Sequence, residues 1–136
     1  MKGERAHERG DRLMEVKVLV VDDDVDVRYV ARMSLSRVGK MTVIDAASGE
    51  EGIALAKSER PDCILLDMSM PGMDGAATFL ALRKFEETAS IPVVFLTARS
   101  MAADIQALKD LGARGVVHKP FDPTTLASQI TAILDL

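Results

Sequence analysis

Residues 16–24 read Val-Lys-Val-Leu-Val-Val-Asp-Asp-Asp, a mostly aliphatic run that ends in three carboxylates. Three later runs have the same form, and each leads into a polar residue: 63–66 before Asp67, 93–96 before Thr97, and 116–118 before Lys119. Short apolar runs without alternation are typical of strands buried on both faces of a parallel sheet. Because the carboxyl ends of parallel strands share one edge, where ligands bind, we expect these carboxylate, hydroxyl and ammonium groups to meet in one pocket.

The bulk composition indicates a single soluble domain. The chain has 136 residues, enough to bury roughly two-thirds of its unfolded surface. Its net charge of -4 does not favour binding to nucleic acid or to an anionic membrane. No apolar stretch approaches the roughly 20 residues of a membrane span, and no signal peptide is recognisable. A single cysteine, Cys63, excludes an internal disulfide and suits a reducing compartment, so we expect a cytoplasmic protein.

The order of the segments predicts an α/β fold. Residues 1–13 are charged almost throughout and are interpreted as an N-terminal tail, followed by one domain at 14–136. From residue 16 onward, strand-like runs alternate with segments of helical period, which gives five strands and five helices. Right-handed crossovers then produce a doubly wound, five-stranded parallel sheet with helices on both faces.

Capping signals place the ends of several helices. The first helix is predicted over residues 25–38 and is closed by Gly39. Its core-facing stripe is predicted to be Val27, Val30, Ser34 and Val38. Ser100 can cap the fourth helix. Asp122 is the predicted N-cap of the fifth helix, with Pro123 at its first helical position.

Asp22, Asp23 and Asp67 form the acidic part of the predicted pocket. Two like charges about 4 Å apart repel by roughly 4 kcal/mol at an effective dielectric of about 20, so this cluster needs a proton or a cation. Oxygen ligands that are few and open to water suit Mg²⁺, which keeps several waters and bridges to a phosphate. Adjacent aspartates after a strand are also common as turn formers and helix caps, the role expected for Asp24. The presence of Lys119 at a matching strand end favours the cation site.

Asp67 is the predicted nucleophile of the pocket. A carboxylate can attack phosphorus to form an acyl phosphate. Lys119 could pair with one phosphoryl oxygen, and the Thr97 hydroxyl could donate a hydrogen bond to another. Taken alone, Thr97 is better explained by β propensity.

Four motifs together resemble the receiver domain of two-component response regulators. They are residues 18–24, the segment 61–75, Leu-Thr-Ala at 96–98 and His-Lys-Pro-Phe at 118–121. They occur in the family's order, and the resemblance covers residues 16–136. It implies a flavodoxin-like fold with strand order 2-1-3-4-5. It also implies a histidine kinase or a histidine phosphotransfer protein as the phosphodonor.

The resemblance also implies a role for each residue of the pocket. Asp67 matches the phospho-acceptor, and Asp22 and Asp23 match the acidic pair that organises Mg²⁺. The backbone carbonyl of Ser69 would complete the protein's share of the ligands. Lys119 matches the family's lysine, and its bond to the following proline is expected to be cis.

Val116 departs from the family, which usually carries Tyr or Phe at this position. Valine is short and stiff at χ1, so it cannot report a switch by a large rotation. A constitutive, non-switching interaction domain of receiver fold therefore stays as the alternative hypothesis. Arg99 occupies a position that borders the phosphoryl group in relatives, although an exposed loop arginine is equally expected. His118 is interpreted as structural.

A turnover enzyme is the least favoured hypothesis. Phosphatases of the haloacid dehalogenase type need a second carboxylate two residues after the nucleophile, and Ser69 stands there. We expect a protein that accepts a phosphoryl group on its own aspartate. No second domain is recognisable before Leu136, so we expect output through contact with a downstream protein partner, without direct contact to nucleic acid or membrane.

Overall fold

The computed structural model describes residues 16–98 and 102–136. The predicted tail at 1–13 and the expectations for Arg99 and Ser100 lie outside these residues. Within them, strands and helices alternate, as the sequence pattern predicts.

The described strands form one parallel sheet. Their bounds are β1 Lys17–Val21, β2 Thr42–Ala46, β3 Cys63–Asp67, β4 Val93–Thr97 and β5 Gly115–His118. The order across the sheet is β2-β1-β3-β4-β5, and all four pairings are parallel. This confirms the predicted order 2-1-3-4-5. The carboxyl ends of β1 and β3 are neighbours because Val21 pairs with Leu66, and Thr97 of β4 pairs with His118 of β5.

One helix follows each described strand. These helices are α1 Val25–Met33, α2 Gly49–Glu59, α3 Gly75–Lys84, α4 Ala102–Asp110 and α5 Leu126–Leu134. The Asp24 carboxylate caps α1 by accepting hydrogen bonds from the amides of Asp26 and Val27. The Ser48 hydroxyl caps α2 by accepting from the Glu51 amide. None of the described helices combines the length and the apolar character that a membrane crossing needs.

The predicted stripe of α1 is partly wrong. The helix continues through a π-helical turn at Ser34–Val38, which confirms the predicted end at residue 38. The side chains that face the sheet are Ala31, Ser34 and Leu35, all buried, whereas Val38 is 56% exposed. The wider π turn shifts the helical phase, and a small residue such as Ala31 gives little signal for a core position. The buried Ser34 hydroxyl donates to the Pro123 carbonyl, which ties α1 to the segment before α5.

The predicted start of α5 is partly wrong. The Asp122 carboxylate accepts hydrogen bonds from the amide and the hydroxyl of Thr124, at 2.9 and 2.7 Å. A bond from the amide two residues on is the one that an N-cap accepts, and the Asp122 carbonyl also accepts from the Leu126 amide at 3.0 Å. Asp122 therefore caps a turn that precedes the helix, and the regular helix begins only at Leu126.

Alternate side chains of each strand fill two hydrophobic clusters, one on each face of the sheet. The α1–α5 cluster includes Val18, Val20, Leu35, Leu65, Leu126 and Ile130. The α2–α3–α4 cluster includes Leu19, Leu66, Phe79, Leu82, Phe95 and Leu108. Cys63 is fully buried, and desolvation raises the pKa of its thiol to about 12. The thiol therefore stays protonated and serves as an apolar packing group.

Gly75 lets the start of α3 lie directly against the end of β3. A Cβ atom at this position would meet the Asp67 carbonyl oxygen and would lie 2.7 Å from the Met68 Cα. The Gly75 amide donates to the Met68 carbonyl at 3.0 Å, so backbone meets backbone here. The close approach fixes the loop that follows Asp67.

Gly75→Ala is expected to lower the free energy of unfolding by about 1–3 kcal/mol, because the methyl group has no flexible neighbour to displace. Gly72→Ala is the control, since nothing lies within 4 Å of a Cβ there. Its φ of +74° is left-handed, so we expect a smaller loss of about 1 kcal/mol. Urea unfolding monitored by circular dichroism measures both changes. Equal stability of Gly75→Ala and the wild type would contradict the close approach.

Candidate functional site

Three aspartate side chains meet at the carboxyl edge of the sheet. Asp22 and Asp23 directly follow β1, and Asp67 is the last residue of β3. One carboxylate oxygen from each lies within 4.8 Å of the others. Asp22 and Asp67 are buried, at 0% and 2% exposure, whereas Asp23 is exposed. The structure thus brings together the three carboxylates that the strand ends predict.

Lys119 connects two of these carboxylates. Its Nζ lies 3.0 Å from Asp22 Oδ2 and 3.0 Å from Asp67 Oδ1, and it donates a hydrogen bond to the latter. The residue follows β5, and its amide donates to the Thr97 carbonyl at 2.8 Å. The peptide bond from Lys119 to Pro120 is cis, as the resemblance implies.

Thr97 and Ser69 flank Asp67 from two neighbouring segments. Thr97 ends β4 beside β3 and is 3% exposed. Ser69 lies on the exposed loop after β3, and its amide donates to Asp67 Oδ1 at 3.3 Å. His118 is exposed. The structure therefore places Thr97 and Ser69 beside the predicted nucleophile.

The electrostatic balance of the pocket shows in two pKa shifts. Burial raises the pKa of Asp67, and the neighbouring Asp22 carboxylate adds to the rise, while the hydrogen bond from Lys119 opposes it. Burial lowers the pKa of Lys119, but its contacts with Asp22 and Asp67 outweigh that effect and leave the pKa raised. One ammonium therefore stays charged between two buried acidic groups.

Two carboxylate oxygens of the pocket are buried without a hydrogen bond from any described residue, namely Asp22 Oδ2 and Asp67 Oδ2. Lys119 Nζ is close to the Asp22 oxygen, but it does not meet the geometry of a hydrogen bond there. Buried polar atoms normally have a hydrogen-bond partner, so a buried oxygen without one can accept an ion, a water or a ligand. The donor set consists of oxygen atoms alone, which fits a hard divalent cation of the Mg²⁺ type.

Two features near the pocket were not found from the sequence. Arg28 donates from Nη1 to the Asp22 carbonyl at 2.8 Å. No motif marks this residue, because its partner is a backbone atom six residues away. An open cavity of about 410 Å³ also lies beside the pocket; its lining consists of Asp26, Val27, Val30, Ala98, Lys119, Pro120 and Phe121. Its members come from three separate segments, which only the fold brings together.

Val116 occupies the position where an aromatic residue is usual. It is half-buried and packs against the α2–α3–α4 cluster. Thr97 lines a cavity of about 210 Å³, whose other walls are Met68, Ala76, Asp104, Ile105, Ala107, Leu108 and Leu111. Open space therefore lies next to the Thr97 side chain on the α4 side.

Asp67→Asn is expected to stabilise the cation-free protein at neutral pH. Because folding raises the pKa of Asp67, the folded state binds more protons than the unfolded state between the two pKa values. Stability therefore falls as the pH rises through that window, and an amide does not have this loss. The gain over the wild type should vanish once the pH drops below the unfolded pKa of about 3.9. Urea unfolding in a chelator at several pH values measures the difference.

Asp122→Asn is the control of opposite sign. The bonds from the Thr124 hydroxyl and amide lower the pKa of Asp122. The ionised group therefore contributes stability above the unfolded pKa, and this stability is lost as the pH falls through the folded pKa. The control variant should be less stable than the wild type at neutral pH and converge with it in acid. If Asp67→Asn were instead less stable than the wild type at neutral pH and converged with it in acid, as Asp122→Asn should, burial would not raise the pKa of Asp67.

Comparison with known proteins identifies the family. Residues 18–131 match the family model for the response regulator receiver domain. Protein PilH of Pseudomonas aeruginosa is 37% identical over 118 residues, which cover 87% of this chain and 97% of that protein. The transcriptional regulatory protein AfsQ1 of Streptomyces coelicolor is 38% identical over 86% of this chain, and this chain spans 50% of its length.

Solved structures agree with this result. The chemotaxis protein CheY4 of Vibrio cholerae superposes with a TM-score of 0.81 at 34% identity, covering 88% of this chain and 98% of that one. A response regulator from Chloroflexus aurantiacus, described as putative, superposes with a TM-score of 0.80 at 31% identity, over 90% and 99%. The chain spans about half the length of several relatives named as transcriptional regulators. This chain therefore belongs to the family of response regulator receiver domains.

Proposed function

We propose that this chain accepts a phosphoryl group on Asp67 in two-component signal transduction. The observation that carries the proposal is the buried Asp67 carboxylate, which contacts Lys119 and still has one oxygen without a hydrogen bond from a described residue. Each oxygen of a buried structural carboxylate normally has at least one hydrogen-bond partner. An oxygen without such a bond, here Asp67 Oδ2, is expected of a carboxylate that binds a cation and reacts with an electrophile.

The proposed reaction moves one phosphoryl group without turnover. An electron pair of the Asp67 carboxylate attacks the phosphorus atom of a phosphohistidine, and a new P–O bond forms as the P–N bond breaks. The electron pair of the broken bond returns to the imidazole nitrogen, which takes a proton from water. The product is an acyl phosphate on Asp67. Ser69 stands where a phosphatase of the haloacid dehalogenase type needs a general acid, so rapid turnover is not expected.

Each remaining residue of the pocket has a proposed role toward the phosphoryl oxygens. Lys119 would exchange its bond to the Asp67 carboxylate for a bond to one phosphoryl oxygen, and the Thr97 hydroxyl would donate to another. Asp22, Asp23, Asp67 and the Ser69 carbonyl would hold Mg²⁺. When bound, this ion would neutralise charge that develops on the phosphoryl group. The buried Oδ2 atoms of Asp22 and Asp67, neither of which accepts a hydrogen bond from a described residue, support this ligand set.

The surface around the pocket supports a protein as the donor. Val30 and Phe121 line the cavity beside Lys119, and Tyr29 on α1 is 62% exposed. Exposed apolar side chains near a reactive group are typical of protein interaction sites. We therefore propose a histidine kinase or a histidine phosphotransfer protein as the donor and a downstream protein as the partner. A net charge of -4 favours neither nucleic acid nor membrane as a direct partner.

We also propose that the protein is located in the cytoplasm. The buried thiol of Cys63 suits a reducing compartment. The reaction also needs a phosphorylated donor protein, and the receiver must meet it in the same compartment.

A second candidate function is a constitutive interaction domain that keeps the pocket but does not switch. Val116 is the observation that favours it, because a half-buried valine offers no ring to rotate when Thr97 moves. Such a domain could still be phosphorylated. The two functions differ in whether the α4–β5–α5 surface changes after phosphorylation.

Labelling with a small phosphodonor tests the acceptor role. Wild-type protein incubated with acetyl phosphate and Mg²⁺ is expected to gain one acid-labile phosphoryl group, detected by intact-protein mass spectrometry. Asp67→Asn should gain none, because an amide oxygen does not form a stable acyl phosphate. Removal of Mg²⁺ should reduce the labelling rate by at least about tenfold, since the buried acidic groups then repel the donor.

Asp110→Asn is the matched control, because it makes the same change on α4, where the Asp110 carboxylate accepts a hydrogen bond from the Gln106 side chain at 2.8 Å. It should label at the wild-type rate. Equal labelling of Asp67→Asn and the wild type would contradict the acceptor assignment.

Hydrogen exchange separates a switching receiver from a constitutive domain. Phosphorylation is expected to change the exchange rates of α4 and β5 amides several-fold, with α2 and β2 on the far edge as the internal control. Changes confined to the loops that carry Asp22, Asp67 and Lys119 would favour the constitutive domain instead.

A further inference from the structure

Arg28 reaches back from α1 to the end of β1. Its Nη1 donates a hydrogen bond of 2.8 Å to the Asp22 carbonyl, and its Nε lies 3.6 Å from Asp45 Oδ2 on β2. The side chain is only 18% exposed although it is charged. A guanidinium that is mostly buried and held at two points is well suited to fix the atoms that it contacts.

The backbone of Asp22 is consequently held from two sides. Its amide donates to the Ala46 carbonyl at 3.1 Å, and its carbonyl accepts from Arg28. Its carboxylate Oδ1 accepts from the Asp24 amide at 2.9 Å. The oxygen that remains without a hydrogen bond from a described residue is Oδ2, one of the two buried atoms that fit a cation. Arg28 thus completes a set of contacts in which Oδ2 is the one oxygen of Asp22 without a hydrogen bond from a described residue. Its charged neighbour is Lys119 Nζ, at 3.0 Å.

We propose that Arg28 is a positioning residue for the cation site, and that it acts by fixing the β1–α1 loop from which Asp22 and Asp23 extend. The inference rests on the proposed function, because it concerns the Mg²⁺ that the acidic pocket would hold. Groups that orient metal ligands without touching the metal commonly change metal affinity by about 10–100-fold. Arg28 would hold the ligand residue Asp22 in this way, through the backbone carbonyl of Asp22. A sequence motif does not reveal a contact of this kind.

The charge of Arg28 has an effect of opposite sign, which makes the proposal testable. A positive group near the pocket repels a divalent cation, so its removal should tighten Mg²⁺ binding if charge alone mattered. Asp45 lies against the guanidinium and offsets part of this repulsion. We therefore expect the loss of positioning to exceed the gain from removed repulsion.

The test is a calorimetric titration of the full chain with MgCl₂ in the absence of any phosphodonor. Arg28→Met removes the charge and both contacts while it keeps most of the apolar stem, and we expect its Mg²⁺ affinity to fall by about tenfold or more. Arg32→Met is the matched control. Arg32 pairs with the same Asp45, at 3.2 Å, but bonds to the Val43 carbonyl and not to the acidic loop. The Mg²⁺ affinity of Arg32→Met should stay within about twofold of the wild type.

Arg28→Lys keeps the charge with a single donor group, so its affinity should lie between those of the wild type and Arg28→Met. Urea unfolding shows whether Arg28→Met is folded. If it is not, the Mg²⁺ affinity of Arg28→Lys is used for the test. A merely structural role would lower stability and leave the affinity of the folded protein unchanged.

Amide NMR of the cation-free proteins gives a second readout. Arg28→Met should shift or broaden the resonances of residues 22–24, whereas Arg32→Met should leave them in place. Unchanged or tighter Mg²⁺ binding by folded Arg28→Met overturns the positioning role and leaves the proposed acceptor function standing. No Mg²⁺ binding by the wild type overturns both.

Discussion

The contact of one ammonium with two buried carboxylates is the interaction on which the rest of the site depends. Lys119 Nζ lies 3.0 Å from both Asp22 and Asp67, and both acids are almost inaccessible to water. Loss of the Lys119 ammonium would leave two buried carboxylates without a counter-charge, and the loss of such a partner costs about 3–5 kcal/mol. The cluster still holds more acid than base, since Asp23 adds a third carboxylate at its edge. The pocket is therefore stable enough to fold and remains short of positive charge.

Long side chains from distant elements build this cluster, and the sheet order decides which ones can reach it. Lys119 follows β5, which β4 separates from β3, so its ammonium has to span about two strand spacings of roughly 4.8 Å to meet Asp67. Arg28 reaches the same edge from α1 on one face of the sheet. Gly75 lets α3 approach the end of β3 closely, so that the loop after Asp67 is held by backbone contacts. Gly75 thus fixes the position of the loop, and the long side chains of Lys119 and Arg28 place positive charge at the edge of the sheet.

The sequence predicts the groups that end a strand far better than those that reach the site from elsewhere. Asp67 and Lys119 are visible because each follows an apolar run, and parallel strands align their ends without further information. Arg28 leaves no pattern, because it bonds to a backbone carbonyl whose neighbours only the fold supplies. The stripe of α1 differs from its prediction because the π turn shifts the helical phase, and regular α5 begins later than predicted because a turn at 123–125 separates it from Asp122. Local competition for hydrogen bonds decides such details, and periodicity does not record it.

Val116 narrows the ways in which charge at Asp67 could alter a distant surface. Under the proposed function, phosphorylation replaces a single carboxylate charge on Asp67 by a charge of about -2 on a larger group. The Lys119 ammonium would then contact both that group and Asp22. A valine has no ring to move into space next to Thr97, so rotation of this side chain cannot carry the signal. The cavity of about 210 Å³ that Thr97 shares with Leu108 lies directly under α4. A shift of Thr97 toward the phosphoryl group would enlarge this cavity, and an apolar void is unfavourable enough to draw its walls inward. In this chain α4 itself is thus the element best placed to respond.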